Sequence, residues 1–312
     1  MLENLIHNLN RAYQKYPKKR IFKYLKHFPE YILLFIHVFF LDKIIKKINY
    51  KIWHYLKDKM TFIKKARLFI EKDFYITIPP YIDIYRYGAY IHTLAEYKLT
   101  KFIVKNINQI KIFFDIGANY GYYSFLITEI NKSSQAYAFE PNLYALKILN
   151  LNKNKRINII PKAVGSENRK IKFERGHYVN SLSTNVITNE NIDDFIEVEM
   201  ITLDSFSSNK KLIPDFIKID VEKIEVEVIK GAQNLLKLYR PMISLEIYLN
   251  ERYKEYIEGL KILKNLNYHI FYIDENGDIE KFRYEDFFIF NNISKNLIFD
   301  NFIFLKNDSS NL

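Results

Sequence analysis

Short apolar runs alternate with segments of helical spacing along the chain from about residue 110 onwards. Residues 110–114 are apolar apart from Lys111 and predict a buried strand, and residues 122–130 predict the helix that follows it. Further strands are predicted at residues 135–139, 157–161, 215–222, 241–247, 269–273 and 297–305, and further helices at residues 141–154, 224–238 and 251–265. This alternation predicts an α/β domain with a mostly parallel sheet.

The turn after the first strand, DIGANYG at residues 115–121, gives the strongest chemical signal. Gly117 and Gly121 are expected to let the backbone approach a ligand where a Cβ atom would clash. Their Gly-x-x-x-Gly spacing differs from the Gly-x-Gly-x-x-Gly of dinucleotide sites, and Asp115 would repel a pyrophosphate. A carboxylate suits S-adenosylmethionine, which carries an ammonium and a sulfonium. This donor is therefore favoured over a dinucleotide, and a tight turn without a ligand is the remaining alternative.

Acidic residues follow or end the other predicted strands. Glu140 comes 23 positions after Gly117, which is about the distance at which a βαβ unit brings an acid to the ribose of an adenosine. Three more carboxylates lie at later strand ends, namely Asp220, Glu222 and Glu246. Ligands of open α/β sheets bind outside the carboxyl ends of the strands, so these acids and Asp115 are expected to share one edge.

Several motifs together resemble the FkbM family of S-adenosylmethionine-dependent methyltransferases. They are FDIGANYG, AFEPN, PKAVG at residues 161–165, TLDSF at residues 202–206, FIKIDVE, and Lys230-Gly231-Ala232. The resemblance covers about residues 110–250. It implies a Rossmann-like, seven-stranded sheet with an antiparallel last strand, and O-methylation of sugar or polyketide hydroxyls. The chain departs from the family at Lys223-Ile224, where the family usually has Gly-Ala.

The candidate site residues fall into three groups. Those expected at the methionine end of the donor are Asp115, Gly117, Asn119 and Gly121. Glu140 is assigned to the ribose, and Ala163 and Val164 to the adenine. The candidates for the base that deprotonates a hydroxyl acceptor are Asp220 first, then Glu222 and Glu246, with the loop residue His177 as a further alternative. Asp220 and Glu222 could share a Mg²⁺, but no spacing specifies one, and no metal is predicted.

Charge and composition divide the chain into two regions. Residues 1–74 hold 17 Lys and Arg against 6 Asp and Glu, whereas residues 75–312 hold 30 of each. We predict a basic, mainly helical N-terminal region at residues 1–80 and a methyltransferase domain at residues 81–312. The apolar run at residues 28–41 is about 21 Å long as a helix, too short for a bilayer core of about 30 Å. The chain has no cysteine, which is consistent with a cytoplasmic protein.

Three interpretations of the basic region stay open. It is a helical subdomain that packs on the core or on a partner subunit, an anchor on the anionic inner face of a membrane, or a nucleic-acid contact, which no motif supports. The predicted activity is O-methyl transfer from S-adenosylmethionine to a hydroxyl, of a sugar in a cell-surface glycan or its precursor. The alternatives are a nucleotide-binding oxidoreductase of the NAD type and a cofactor-binding module without turnover.

Overall fold

The computed structural model describes residues 64–67, 75–78, 94–174, 195–221, 224–248, 255–284 and 299–306. The chain forms two compact units, Met1–His92 and Thr93–Leu312. In the first unit, β1 (Lys64–Arg67) pairs antiparallel with β2 (Tyr75–Ile78). The rest of the predicted helical arm, including residues 28–41, lies outside the described residues. Within the described ranges, no helix combines the length and the apolar character needed to cross a membrane.

The second unit begins with α1 (Leu94–Lys105) and continues as repeated strand–helix units. Its first half contains β3 (Ile112–Ile116), α2 (Tyr122–Ile130), β4 (Gln135–Phe139), α3 (Leu143–Asn152) and β5 (Ile157–Ile160). The bounds of α2 and β4 are those that the sequence predicts. The helix α3 begins later than predicted because the Asn142 side chain caps it, accepting from the backbone N–H groups of Tyr144 and Ala145.

The second half of this unit supplies the remaining strands of the larger sheet, here called the main sheet. These are β9 (Phe216–Ile219), β10 (Met242–Tyr248), β11 (Tyr268–Ile273), β12 (Ile279–Phe282) and β13 (Phe299–Lys306). The sheet has the order β12-β11-β13-β10-β9-β3-β4-β5, and the five strands from β10 to β5 are parallel. The last strand, β13, inserts antiparallel between β10 and β11, as predicted. The sheet has eight strands and not seven, because β12 folds back on β11 after the turn at residues 274–278.

A second, three-stranded sheet follows β5, and the sequence pattern does not predict it. It consists of β6 (Ala163–Val164), β8 (Phe195–Ile201) and β7 (Arg169–Glu174), in that order. Its small core contains Ile171, Phe173 and Met200. Because β7 and β8 pair across the segment 175–194, a local pattern gives little warning of this sheet.

Four of the described helices pack on one face of the main sheet and share its core. They are α4 (Leu203–Lys210), α5 (Glu225–Lys230), α6 (Gln233–Tyr239) and α7 (Ile257–Asn265). The prediction of one helix over residues 224–238 is wrong, because the helix breaks at Gly231. A Cβ atom on Gly231 would lie 1.9 Å from the carbonyl oxygen of Gly165. The family-like motifs around these two glycines therefore pack directly against each other.

The alternation of side chains along the strands sorts the residues of the sheet onto two faces. One face belongs to the main core and includes Phe114, Ile219 and Leu245. Helices α1 and α2 cover the other face. That face carries the stacked rings of Phe113 and Phe216, and near the carboxyl ends of the strands it carries polar residues.

Candidate active site

The chain leaves β3 through a turn at residues 117–121, here called the glycine turn. Three residues of this turn lie in the left-handed region, with φ values of 78° for Gly117, 51° for Asn119 and 83° for Gly121. A Cβ atom on Gly117 would lie 1.8 Å from the carbonyl oxygen of Asp220. One on Gly121 would lie 2.3 Å from the Leu149 side chain. The protein itself therefore requires both glycines, through their backbone angles and through contact with its own chain.

Asp115 is buried at the carboxyl end of β3, with 1% of its surface exposed. Its Oδ2 accepts hydrogen bonds from the backbone N–H and the hydroxyl of Ser124, at 3.2 and 2.6 Å. Its Oδ1 has no hydrogen-bond partner among the described residues. Burial raises the pKa of Asp115, and the nearby Lys218 ammonium opposes that rise. A buried carboxylate with an unsatisfied oxygen favours a ligand or water that donates a hydrogen bond.

Glu140 joins the end of β4 to the glycine turn. Its two carboxylate oxygens accept from the backbone N–H groups of Asn119 and Asn142, each at 2.8 Å. Burial raises the pKa of Glu140 to about 7, and the two backbone hydrogen bonds counteract part of this effect. Each carboxylate oxygen has a second lone pair, so Glu140 retains acceptors for ribose hydroxyls.

Asp220 follows β9, the strand beside β3. Its side chain is 31% exposed, and its Oδ2 accepts from the Lys218 ammonium at 2.7 Å. The backbone N–H of Asp220 donates to the carbonyl of Ile116, which fixes the residue beside the glycine turn. The structure describes two of the predicted base candidates, and Asp220 is more open to solvent than Glu246, which is buried.

Lys218 is a residue of this site that the sequence did not predict. Its Nζ also lies 5.1 Å from the centre of the Tyr123 ring, within range of a cation–π contact. The available signal was a lysine in the apolar strand Phe216–Ile219, whose four residues are all buried. A charged residue in such a strand is rarely buried without a partner.

Strand register places further polar residues on the face of Lys218. Asp115 on β3 and Ser244 on β10 are its register neighbours, and Glu246 is two positions beyond Ser244. Asn301 on β13 lies opposite Glu246. All five residues are buried, so a polar layer crosses the sheet beneath α1 and α2.

The other predicted site residues lie elsewhere or outside the described residues. Ala163 and Val164 form β6, where Val164 belongs to the main core and Ala163 to the small core. Their assignment to the adenine stays a prediction. Glu222 and His177 lie outside the described residues. Where side chains are described, no three potential metal ligands come together.

The residues at the glycine turn fit S-adenosylmethionine. The unsatisfied Oδ1 atoms of Asp115 and Asn119 are hydrogen-bond acceptors, and the donor's ammonium is a hydrogen-bond donor with positive charge. Glu140 and Asp220 add carboxylates on either side of the turn. A pyrophosphate would face these same acids, and the Lys218 ammonium that lies among them is already paired with Asp220.

Solved methyltransferase structures resemble this chain at low identity. The FkbM methyltransferase from Methylobacillus flagellatus KT is 16% identical, with a TM-score of 0.41, and the likeness covers 63% of this chain and 44% of that one. The TYW2 protein of M. jannaschii, solved with AdoMet, is 14% identical over 76% of this chain and 85% of its own, with a TM-score of 0.38. The precorrin-6y C5,15-methyltransferase from Geobacter metallireducens is 13% identical over 65% and 86%, with a TM-score of 0.34. No curated protein matches the chain in sequence.

The family model of the FkbM methyltransferase domain matches residues 115–276, which is more than half of the chain. The match begins at Asp115 and includes the glycine turn, Glu140, Asp220 and Glu246. It decides between the two ligands considered for the turn in favour of the methyl donor over the dinucleotide. The chain belongs to the FkbM methyltransferase family, and S-adenosylmethionine is its cofactor.

Proposed function

We propose that the protein transfers the methyl group of S-adenosylmethionine to a hydroxyl oxygen. The observation that supports this most is the position of Asp220, a partly exposed carboxylate held beside the glycine turn. A hydroxyl acceptor must lose a proton as its oxygen forms the new bond to carbon. A carboxylate next to the donor's turn is a suitable proton acceptor.

In this proposal, bound S-adenosylmethionine supplies an electrophilic methyl group attached to a positively charged sulfur. The acceptor oxygen forms a bond to the methyl carbon, the carbon–sulfur bond breaks, and its electron pair goes to sulfur. Asp220 takes the hydroxyl proton. Asp115 and Glu140 contribute by orienting the donor, and orientation supplies much of the rate in an in-line displacement.

The proposed acceptor is a sugar hydroxyl of a cell-surface glycan or its precursor. This part of the proposal comes from the resemblance to the family. The buried polar layer next to Asp220 is consistent with a polar acceptor. Glu246, 9% exposed within that layer, is a further candidate for the base together with Glu222.

The test is transfer of a labelled methyl group from S-adenosylmethionine to neutral sugars and to glycan fractions. Asp220→Asn is expected to lower the rate about 100-fold, which is the usual effect of losing a general base. The matched control is Asp215→Asn at the opposite end of the same strand, where Asp215 accepts from the backbone N–H groups of Lys111 and Ile112.

The control is expected to retain activity. Labelling of amines in place of hydroxyls would contradict O-methylation. Donor binding with no transfer to any acceptor would favour the module without turnover. Full activity in Asp220→Asn would exclude Asp220 as the base and direct attention to Glu222 and Glu246.

A further inference from the structure

A buried cation lies among the acids of the glycine turn, and the proposed reaction gives it no role. The Lys218 side chain is 5% exposed, and it reaches the Asp220 carboxylate at 2.7 Å. The ammonium also lies near the Tyr123 ring on α2. Lys218 is therefore enclosed by the strands of the sheet and by the helix that follows the glycine turn.

Acidic groups surround Lys218 from neighbouring strands. Asp115 is its register partner on β3, Asp220 is two residues further along, and Glu246 lies on β10. Burial acts to lower the pKa of Lys218, but the charges of these three carboxylates raise it above its usual value. Glu140 at the end of β4 is electrostatically coupled to Asp115 and Asp220 as well. Lys218 is the cation that the structure places within this group of acids.

The consequence of removing this cation follows from electrostatics. Buried carboxylates that lie close together without a counterion do not all stay ionised, and one of them takes up a proton. A ligand that carries positive charge would then have to displace that proton before it could pair with the acids. Its affinity would fall at neutral pH and recover as the pH rises.

We propose that Lys218 is a positioning residue for the methyl donor and that it acts through Asp115 and Asp220. Its ammonium favours the ionised form of Asp115 and holds the Asp220 carboxylate in place at the edge of the sheet, without touching the donor itself. The inference rests on the proposed function, because the ligand concerned is the donor of that reaction.

The experiment is calorimetric titration of S-adenosylmethionine into the full-length protein and into Lys218→Met, between about pH 7 and pH 9. We expect Lys218→Met to raise the Kd about tenfold near pH 7. A proton that competes with the donor for a carboxylate weakens binding by about this factor when the pKa of that carboxyl is about one unit above the pH. The difference should shrink towards pH 9. Titrations in buffers with different ionisation heats should also show that the variant releases more protons on binding than the wild type. The donor's own ammonium titrates in both proteins and cancels in this comparison.

The chain offers a matched control in a second buried lysine–aspartate pair. Lys98 Nζ lies 2.6 Å from Asp300 Oδ2, and the two side chains are 6% and 7% exposed. Lys98→Met should lower the Tm while leaving the Kd and its pH dependence unchanged. Lys218→Arg keeps the charge and should restore most of the affinity.

A double variant keeps the test decisive if Lys218→Met does not fold. Lys218→Met with Asp220→Asn removes both charges of the pair, so it lacks one negative charge next to Asp115 relative to the single variant. It should show a flatter pH dependence of the Kd than Lys218→Met. Where the single variant is not folded, the double variant is compared with Asp220→Asn alone, and a lower affinity at pH 7 is expected because Asp115 still lacks its cation.

Two results would overturn the inference while leaving the proposed function standing. One is wild-type Kd and pH dependence in a Lys218 variant that has lost the charge. The other is an equal, pH-dependent loss in Lys98→Met, which would mean that buried lysines matter only for the fold. Failure of the folded wild-type protein to bind S-adenosylmethionine would instead contradict the proposed function, and this inference with it.

Discussion

At the scale of single residues, the site combines backbone constraints with buried charge. Two backbone constraints require glycine at position 117. Its φ is positive, and the Asp220 carbonyl occupies the space of a Cβ atom. Asp115 and Glu140 are buried acids that take hydrogen bonds from Ser124 and from the backbone of the turn. All three residues were predicted at the donor site, and the structure brings them together at the turn after β3. The prediction attributed the glycines to the ligand, whereas the structure shows that the protein's own packing already requires them.

Gly117→Ala is expected to destabilise the protein by about 3 kcal/mol. The estimate adds a left-handed backbone angle in a residue other than glycine to the cost of overpacking. Unfolding in urea would measure it. Gly259→Ala in α7 is the control, because the nearest atom to its added Cβ is the end of the flexible Ile229 side chain at 2.9 Å. A loss in Gly117→Ala no larger than in the control would contradict the steric account.

The affinity for adenosine is expected to rise several-fold between about pH 6 and pH 8. Burial raises the pKa of Glu140 to about 7, so the carboxyl loses its proton across this range. The ionised form accepts hydrogen bonds from ribose hydroxyls better than the protonated form does, which gives the sign of the change. Adenosine serves as the ligand because it carries the ribose but lacks the titrating ammonium of the donor.

Glu140→Gln should bind adenosine with nearly the same affinity at both pH values. A Glu140→Gln profile that rises as steeply as the wild-type profile would assign the titration to another group. Asp115→Asn separates the two acids, because Asp115 is expected at the methionine end and should not control adenosine binding.

At the scale of secondary-structure elements, the family-like motifs also serve to join elements. The Asp204 carboxylate of TLDSF accepts from the backbone N–H groups of Asn234 and Leu235 at the start of α6. Its own N–H donates to the Gly231 carbonyl. The small sheet, α4 and α6 therefore meet at one point, and this point breaks the helix that the sequence predicted as continuous.

Asp204→Ala is expected to cost about 1 to 2 kcal/mol of unfolding free energy, because two backbone donors at the start of α6 lose their acceptor. The control is Ser208→Ala, an exposed position on the same helix α4, which should change the stability by less than about 0.5 kcal/mol. Both are measured by denaturant unfolding. Equal stability of the two variants would show that Asp204 does not cap α6 in solution.

The local pattern of apolar and turn residues determines which elements could be predicted from the sequence. Helix α2 and strand β4 were predicted with their observed bounds because periodicity, turn residues and apolar runs agree there. Helices α5 and α6 were joined in error because Asp204, which bonds to the end of one helix and to the start of the other, is distant in sequence. Lys218 was missed for a related reason, since its partners Asp115 and Glu246 lie on other strands and only the register brings them together.

At the scale of the whole molecule, charge separates the N-terminal region from the methyltransferase domain. All of the net charge of +11 lies in residues 1–74. A segment with that excess of positive charge is attracted to anionic lipids, and the attraction weakens with salt. The membrane interpretation of this region is therefore open to a direct test on the full chain.

We expect the full-length protein to co-sediment with vesicles that contain an anionic lipid at low salt and to be released as the salt approaches about 1 M, where screening acts over about 3 Å. Vesicles of zwitterionic lipid alone are the control and should retain little protein. No binding to anionic vesicles at low salt would leave the packed subdomain and the nucleic-acid contact as the interpretations of the basic region.

Calorimetric titration of S-adenosylmethionine and its demethylated product into the wild-type protein and into Asp115→Ala tests directly whether the glycine turn binds the methyl donor. We expect micromolar binding to the wild type and its loss in the variant, because Asp115 is expected to face the donor's ammonium. Circular dichroism would confirm that both proteins are folded. No binding of either ligand to the folded wild type, or equal binding to Asp115→Ala, would contradict the account of the glycine turn as the donor site.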